Sequence, residues 1–493
     1  MTDAAAPVPD LSGIPASIPA TDPLAPYDAV LLLSYGGPRR PEDVLPFMRN
    51  ATAGRGVPDS RLVEVSGHYQ GVGGASPINA CNAELRDALQ ARLAERGSRL
   101  KIVVGNRNWH PFVSQALREL ADAGARHVLA LPTAAFGSYS GCRQYREDLA
   151  GAAALLAAGA DGSTGDGFEA DAAARVGGEG GAPVDLTVDK TRPYYNTPGL
   201  LEANVDAIVE AYGALAEQGV AAADVRLVLV THSIPLGMEA GSAPTPESDG
   251  ASEPAAAGQP AGRPAGPREP GVAADLSTEV SYVAQHRALA AILVPEVARR
   301  LGLEEVASDL VYCSRSGPPQ ARWLEPDVND HLEALAAGQL TNGSPADRPG
   351  GVVVAPFGFI SDHMEVVFDL DTEAAQTARD LGMPYARAAT VGTHPAFVDS
   401  LVDILIERAA VARGEDVHPA STTGVGPFHT VCPPSCCRSG THHPGRHSRH
   451  GADGATHESA AGHQPAAGGS CRPASAEPES LKPASCGRMK EKR

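Results

Sequence analysis

The chain has few cysteines, no excess of positive charge and no long apolar run, and each of these features excludes a class of protein. Its eight cysteines among 493 residues are too sparse for a disulfide scaffold. A formal net charge of -19 argues against nucleic acid as a partner, because phosphate binding needs a basic surface. No run approaches the roughly 20 apolar residues that span a bilayer, and the first residues lack a signal-peptide pattern. The sequence therefore predicts a cytoplasmic protein without a transmembrane segment.

Two motifs that are common in enzymes with parallel sheets are also missing. No GxGxxG follows the first predicted strand, so dinucleotide binding loses its main support. No GxSxG is present, which argues against a Ser-His-Asp hydrolase.

Apolar runs of strand length alternate with helical patterns along most of the chain. The predicted strands are 29–34, 102–105, 128–132, 227–230, 310–313 and 352–355. The predicted helices are 82–96, 113–123, 200–218, 282–301, 372–381 and 397–410. This alternation is typical of parallel sheets covered by helices. It predicts an α/β fold with two similar Rossmann-like lobes that follow one another in the chain.

Several segments are rich in Pro, Gly, Ala and Ser and lack hydrophobic periodicity. They have too few apolar side chains to offset the entropy of ordering, so we expect them to be disordered. The predicted organisation is a disordered lead (1–26), a first α/β lobe (27–182), a second α/β lobe (183–413) with a flexible insertion (240–272), and a disordered Cys/His-rich tail (414–493).

Polar residues that directly follow the strands are the candidate functional residues, because sites in open α/β sheets form at the carboxyl ends of the strands. Tyr35 follows the first predicted strand, and Arg107 follows the second. His232 comes directly after the buried run RLVLV. An imidazole placed there can be a metal ligand or a proton acceptor near neutral pH, or it can be merely structural.

The segment SDHMEVVFDLD follows the predicted strand at 352–355 and is the richest of these strand ends. Helical spacing would place Glu365 on one face with Asp362 and Asp369, and Asp371 close by. These groups could line one wall of a cleft. Alternatively, the acids only stabilise a helix N-terminus against its dipole. The apolar run VAPFGFI in front of the segment favours the cleft.

A set of motifs in a fixed order resembles the ferrochelatase family. They are SYGGP, GGASP, GNRNWHP, YSGCRQY, THSIP, YCSRSGPPQARWLEP and FISDHMEVVFDLD. The resemblance covers nearly all of residues 27–410, and THSIP with SDHMEVVFDLD is its most specific part. It implies the chelatase fold and an enzyme that inserts ferrous iron into a porphyrin.

The same resemblance implies roles for particular residues. It places His232 and Glu365 opposite each other across the porphyrin cleft, as ligands of the incoming iron. His232 would also accept pyrrole N–H protons, while Asp362, His363 and Asp369 would extend an acidic route for metal or protons. Metallation must take protons from the macrocycle and strip water from the iron, which suits an imidazole base opposite carboxylates.

The porphyrin itself is implied by Tyr35, which is similar to the tyrosine of the coproporphyrin branch of the family, where it can ligate iron on the other face of the ring. Residues 48–77 agree, because they contain few large apolar side chains and lack a membrane-contacting lip. Ala51-Thr52 stands where some relatives carry an arginine, so that propionate contact is expected to be missing. The other implied porphyrin contacts are Ser76, Tyr145, His68, Tyr69 and Arg107.

The positions of the cysteines predict a second site, one that binds metal. Cys432, Cys436 and Cys437 crowd together, which in a reducing compartment suggests a metal site. Some family members hold a 2Fe-2S cluster with one mid-chain cysteine and three near the carboxyl terminus, and Cys142 completes that set of thiolates. The alternative for the late trio is a zinc-binding or unligated run.

The resulting prediction is a coproporphyrin III ferrochelatase that uses Fe2+ as a substrate and carries a 2Fe-2S cluster. Its partners would be the porphyrin, ferrous iron and, transiently, a later enzyme of heme biosynthesis. The alternatives are a protoporphyrin IX ferrochelatase, a cobalt chelatase, and a non-catalytic tetrapyrrole-binding or metal-binding protein on this fold.

Overall fold

The computed structural model describes residues 19, 21–54, 56–159, 182–242, 281–315, 321–433 and 436–438. All of them belong to one compact unit. The predicted insertion at 240–272 lies outside the described residues from position 243 onward, and most of the predicted tail does too. None of the described helices is long and apolar enough to cross a membrane.

The first lobe contains a four-stranded parallel sheet in the order β2-β1-β3-β4. Its strands are β1 (Ala29–Ser34), β2 (Lys101–Asn106), β3 (His127–Pro132) and β4 (Thr187–Lys190). Its helices are α1 (Val44–Thr52), α2 (Asp59–Gly71), α3 (Ile78–Glu95), α4 (Val113–Asp122) and α5 (Gln144–Ala157), with a π-helical turn at Tyr139–Arg143 directly before α5. β1 is buried along its whole length, as expected for a parallel strand covered on both faces.

The second lobe repeats this arrangement, with a parallel sheet in the order β6-β5-β7-β8. Its strands are β5 (Val225–His232), β6 (Ser308–Cys313), β7 (Gly351–Ala355) and β8 (Tyr385–Arg387). Its helices are α6 (Pro198–Glu217), α7 (Leu236–Gly241), α8 (Tyr282–Leu301), α9 (Val328–Ala336), α10 (Ala375–Asp380) and α11 (Pro395–Ala412), with a π-helix at Val366–Ala374 directly before α10.

The two sheets share one hydrophobic core. Leu32 of β1 and Leu229 of β5 belong to the same buried cluster, together with side chains of α3, α6, α8 and α11. The preceding residues, Leu31 and Val228, point to the opposite faces of their sheets, because side chains alternate along a strand. The family expectation of two α/β lobes with parallel sheets is therefore confirmed.

The first sheet extends beyond the predicted lobe boundary at residue 182. β4 pairs with β3, and Val188 packs against the core on the outer face of the first sheet. The first sheet therefore includes residues up to Lys190. A four-residue strand of mixed polarity, TVDK, has too little apolar content to be recognised from its pattern.

The predicted disordered lead and tail are both partly ordered, which corrects their boundaries. Leu24 is fully buried in the shared core, so packing begins before Tyr27. Residues 414–433 and 436–438 are described, and Phe428 lies in the same core. Asn196 binds this part of the tail through its amide, which donates to the carbonyl oxygen of Gly426 at 2.7 Å. A few well-placed apolar and hydrogen-bonding side chains hold segments whose average composition predicts disorder.

Candidate active site

His232 is the last residue of β5, where it pairs with Cys313 of β6. Its imidazole is 30% exposed, and Nε2 lies 3.5 Å from Oε1 of Glu365. Nδ1 lies 2.5 Å from the carbonyl oxygen of Ser233, an acceptor only, so Nδ1 carries a proton and donates it. The other ring nitrogen, Nε2, faces the carboxylate.

Glu365 lies in the first helical turn that follows β7, directly before the π-helix. Its side chain is 42% exposed and lies between two imidazoles, because Oε2 is 3.7 Å from Nδ1 of His363. The backbone N–H of Glu365 also donates to Nδ1 of His363 at 3.2 Å. Nδ1 of His363 is therefore an acceptor, and that ring is neutral with its proton on Nε2.

The electrostatics make His232 and Glu365 an ion pair. Burial is the largest single influence on His232 and lowers its pKa, but Glu365, the carbonyl of Ser233 and Asp369 together raise the pKa to about 8. Burial is also the largest influence on Glu365 and raises its pKa, but His232 and His363 together lower the pKa to about 2. Burial lowers the pKa of His363, which agrees with its neutral form.

Asp369 provides a third titratable group near this pair. Burial raises its pKa to about 7, with the hydroxyl of Ser314 acting to lower it and the charge of Glu365 acting to raise it. The hydroxyl of Ser314 donates to Oδ2 of Asp369. Ser314 directly follows β6 and has a φ of 65°, in the left-handed region. The rule that sites form at strand ends could have found this serine.

Asp362 does not share a helical face with Glu365, contrary to the spacing argument, and it binds the same arginine as Asp371. Helical structure begins only at Met364, after Asp362. Both aspartates bind Arg387 of β8, at 3.0 Å for Asp362 and 2.5 Å for Asp371. This pairing compensates part of their charge. Glu365 and Asp369 are thus the acids that accompany His232.

Tyr35, Arg107 and Tyr145 come together at the ends of the first sheet. The guanidinium carbon of Arg107 lies 4.6 Å from the ring centre of Tyr145 and 5.8 Å from that of Tyr35. Arg107 is almost fully buried and forms an ion pair with Asp148 of α5 at 2.5 Å. Tyr35 is 39% exposed, which leaves part of its ring open to a ligand.

Tyr69 and His68 of α2 connect this group to the second lobe. Burial raises the pKa of Tyr69, and the charges of Glu365 and Asp369 raise it further. The ring of His68 stacks on Phe368 of the π-helix with the ring centres 4.4 Å apart. Tyr69 therefore lies within electrostatic reach of the His232 site, and Phe368 is a contact that the sequence did not indicate.

Ser76 lies beneath the SYGGP loop. It is buried, and its backbone N–H donates to the carbonyl oxygen of Pro38 at 2.9 Å. A Cβ atom at Gly37 would lie 2.7 Å from that of Ser76, so this close approach requires glycine. Ser76 is thus held next to the loop that carries Tyr35.

The four predicted cluster cysteines lie around one small cavity. Its lining consists of Cys142, Cys432, Cys436, Cys437, Lys190, Arg143 and Arg146. The Sγ atoms of Cys436 and Cys437 are 3.5 Å apart, and Nζ of Lys190 donates to Sγ of Cys142 at 3.2 Å. Hydrogen bonds from the neighbouring thiols, together with the charge of Lys190, lower the pKa of Cys142. Among the described residues, no group of three or more His, Cys, Asp or Glu side chains is arranged closely enough to hold a metal ion.

Sequence comparison with known proteins finds similarity to one family over both lobes. The sequence profile of the ferrochelatase family matches residues 27–163 and 159–409. The chain is 42% identical over 415 residues to the coproporphyrin III ferrochelatase of Streptomyces coelicolor, which covers 84% of this chain and 94% of that protein. It is 38% identical to proteins of the same name from Tropheryma whipplei (84% and 89% covered) and Mycolicibacterium smegmatis (83% and 99% covered).

A solved structure, SirB from Bacillus subtilis with Fe3+, is similar over 78% of this chain and 97% of that chain, with a TM-score of 0.38 and 12% identity. This similarity is too low to add to the assignment. The sequence matches extend through both sheets and include the strand ends that carry Tyr35, His232 and Glu365. The chain therefore belongs to the ferrochelatase family.

Proposed function

We propose that this protein inserts Fe2+ into coproporphyrin III to form iron coproporphyrin III. The observation that supports it best is the His232–Glu365 pair, with Nε2 facing a carboxylate oxygen at 3.5 Å in a partly open position. Similarity to relatives named coproporphyrin III ferrochelatase over 84% of the chain supports the choice of porphyrin, as does Tyr35 on the other lobe.

In this function Nε2 of His232 accepts a pyrrole proton. Its Nδ1–H is already bound by the carbonyl of Ser233, so the tautomer is correct before substrate binds. Glu365 stabilises the imidazolium that forms, and an imidazole with a carboxylate is also a suitable ligand pair for ferrous iron. Asp369 has a pKa close to that of His232, so it is suited to receive the proton next.

The pH dependence of turnover follows from the need for unprotonated His232. Because its pKa is raised to about 8, we expect kcat/KM of the wild type to rise with pH and to level off above about pH 8. In Glu365→Gln the carboxylate that raises the pKa of His232 is gone, so the lowering effect of burial should prevail. The pH at which kcat/KM rises should then fall below the ordinary histidine pKa of 6.5. The measurement is the pH profile of kcat/KM under anaerobic conditions, with the exposed Glu304→Gln as control. A rise of kcat/KM at an unchanged pH in Glu365→Gln would contradict the assignment.

The choice of porphyrin and metal is tested by a paired assay. Purified protein is mixed anaerobically with coproporphyrin III or protoporphyrin IX, each with Fe2+ or Co2+, and the porphyrin absorption bands are followed. We expect coproporphyrin III with Fe2+ to have the highest kcat/KM, by about tenfold, the ratio that about 1.4 kcal/mol of differential binding produces. A preference for protoporphyrin IX or Co2+ identifies one of the alternative chelatases. Porphyrin binding without turnover identifies a carrier.

We also propose that Cys142, Cys432, Cys436 and Cys437 hold a 2Fe-2S cluster. Four cysteine thiolates are the donor set of such clusters, and these four side chains line one cavity. The basic side chains of Lys190, Arg143 and Arg146 line the same cavity and suit the negative charge of a thiolate-bound centre. When bound, the cluster would supply a one-electron redox centre. Arg143 and Arg146 hold the late trio by donating to the carbonyl oxygens of Cys436, Cys432 and Pro433.

Cluster content is measured on anaerobically purified protein as iron, acid-labile sulfide and visible charge-transfer absorption. Wild type should contain all three, and Cys436→Ser should lose them because a hydroxyl is a poor ligand for iron in such clusters. Cys81→Ser is the matched control, since Cys81 does not line the cavity and should leave the content unchanged. Zinc in place of iron and sulfide would support the alternative for the late trio, and wild type without any metal would refute the cluster.

We propose the cytoplasm as the location of the protein. All of the described cysteines are free, as is usual in a reducing compartment. Handover of the product to a later enzyme of heme biosynthesis stays a prediction.

A further inference from the structure

A buried hydrogen-bond network surrounds the end of β5, one residue before the proposed proton acceptor. Oγ1 of Thr231 lies 2.8 Å from the hydroxyl of Tyr282 and 2.8 Å from Nε2 of His286. Nδ1 of His286 lies 2.7 Å from the backbone carbonyl oxygen of Tyr282. The hydroxyl of Tyr282 also donates to the backbone carbonyl oxygen of His232 at 3.1 Å. Tyr282 and His286 lie one turn apart in α8, and neither has a role in the proposed metallation chemistry.

The hydrogen-bonding roles of His286 and Thr231 follow from the acceptors that face them. His286 is completely buried, and burial lowers its pKa to about 3, so the ring is neutral. Its Nδ1 faces a carbonyl oxygen and must donate, which leaves Nε2 as an acceptor for the hydroxyl of Thr231. The oxygen of Thr231 and the carbonyl of His232 are then both acceptors for the single proton of Tyr282.

Aromatic packing holds the network in place. The ring of His286 stacks on Phe136 with centres 3.7 Å apart and an interplanar angle of 10°. Phe357 contacts it edge-on at 5.4 Å. Gln285, between the two network residues of α8, binds both the N–H and the carbonyl of Gly137 in the first lobe, at 2.7 and 2.9 Å. The first turns of α8 thus form hydrogen bonds with both lobes.

Backbone position at residue 232 controls the direction of the catalytic ring. Nδ1 of His232 can donate to the carbonyl of Ser233 only if the local backbone keeps its present course. The backbone carbonyl of His232 is the acceptor that Tyr282 holds. A shift of about 1 Å at a reacting group can cost about a hundredfold in rate.

We propose that Tyr282 and His286 are positioning residues that hold the backbone of His232 so that its Nε2 faces Glu365. Both side chains are buried, so they act on His232 through the backbone. The rate consequence rests on the proposed role of His232 as proton acceptor, whereas the structural consequence does not.

The test uses Tyr282→Phe, which removes one hydroxyl and keeps the ring, and Thr231→Val, which removes the other hydroxyl at similar size. The matched control is Tyr212→Phe, because Tyr212 is equally buried and its hydroxyl has no hydrogen-bond partner among the described residues. We expect kcat for iron insertion into coproporphyrin III to fall roughly 10- to 100-fold in both test variants, with KM nearly unchanged. Tyr212→Phe should behave as the wild type.

A second readout does not depend on activity. In the full-length protein labelled with 15N-histidine, NMR should show the His232 ring of the wild type with its proton on Nδ1 when neutral. Tyr282→Phe should show a mixture of the two neutral tautomers. A folded Tyr282→Phe variant with unchanged kcat and an unchanged His232 signal would overturn the proposal, as would an equal loss of kcat in Tyr212→Phe. Wild type without metallation activity would refute the proposed function, and the NMR comparison would then decide the positioning role alone.

Discussion

Replacing His232 by alanine is expected to lower kcat for iron insertion by roughly 10²- to 10⁴-fold, the usual contribution of a positioned general base. The porphyrin must lose its pyrrole protons as the metal enters, and Nε2 of His232, which faces Glu365, has its lone pair available once the ring is neutral. Porphyrin affinity should change little, because the implied contacts with the ring come from the first lobe. The measurements are single-turnover metallation and the Kd of coproporphyrin III from fluorescence quenching.

The control for this prediction is His394→Gln. His394 is about as exposed as His232 and also faces a carboxylate, with Nε2 3.2 Å from Asp206, but it lies just before α11 and its partner belongs to α6. Its replacement should leave kcat unchanged. If His232→Ala retained more than about a tenth of the wild-type kcat, another group would have to accept the protons.

The second large effect concerns stability. Arg192→Met is expected to lower the free energy of unfolding by about 3–5 kcal/mol, because it leaves the carboxylate of Glu407 buried without its partner. The side chains of Arg192 and Glu407 are only 1% and 9% exposed, and they form two hydrogen bonds at 2.7 and 2.9 Å. Arg192 also donates to the carbonyl oxygen of Ala420 at 3.1 Å. The variant therefore loses a contact that holds the tail as well as the ion pair.

Denaturant unfolding of the full chain measures this loss. The matched control is Arg61→Met, which breaks the exposed ion pair with Glu64 and should leave the free energy of unfolding unchanged within error. A further consequence is that the tail segment before the late cysteines becomes easier to cleave by protease in Arg192→Met. A loss of less than about 1 kcal/mol would show that Glu407 finds another partner or water.

Strands with continuous apolar runs were predictable, whereas short or polar elements were not. The run AVLLLS predicts β1 with its observed bounds, and the periodic pattern at 282–301 predicts α8 equally well. β4 and β8 were missed because each has only three or four residues of mixed polarity. α5 was missed because its Gly- and Ala-rich end resembles low-complexity sequence, although Leu149 and Leu156 are buried.

Some features of the candidate site were also predictable from the sequence, and others were not. The position of His232 follows from its place behind a buried strand, and the pairing with Glu365 was implied by the family motifs. The partners of the other acids depend on residues far away in the chain. Asp369 binds Ser314, and Asp362 binds Arg387. Spacing within one segment contains no information about such partners.

The α/β class, the two lobes and the family were predictable from the sequence, because they depend on local apolar periodicity and on motifs that are continuous in the chain. The folded structure was needed to find which acids accompany His232, which tail residues are ordered, and that Tyr282 and His286 hold the end of β5. Those features depend on contacts between segments that are distant in sequence. In such a contact, each side chain determines the burial and the charge state of its partner.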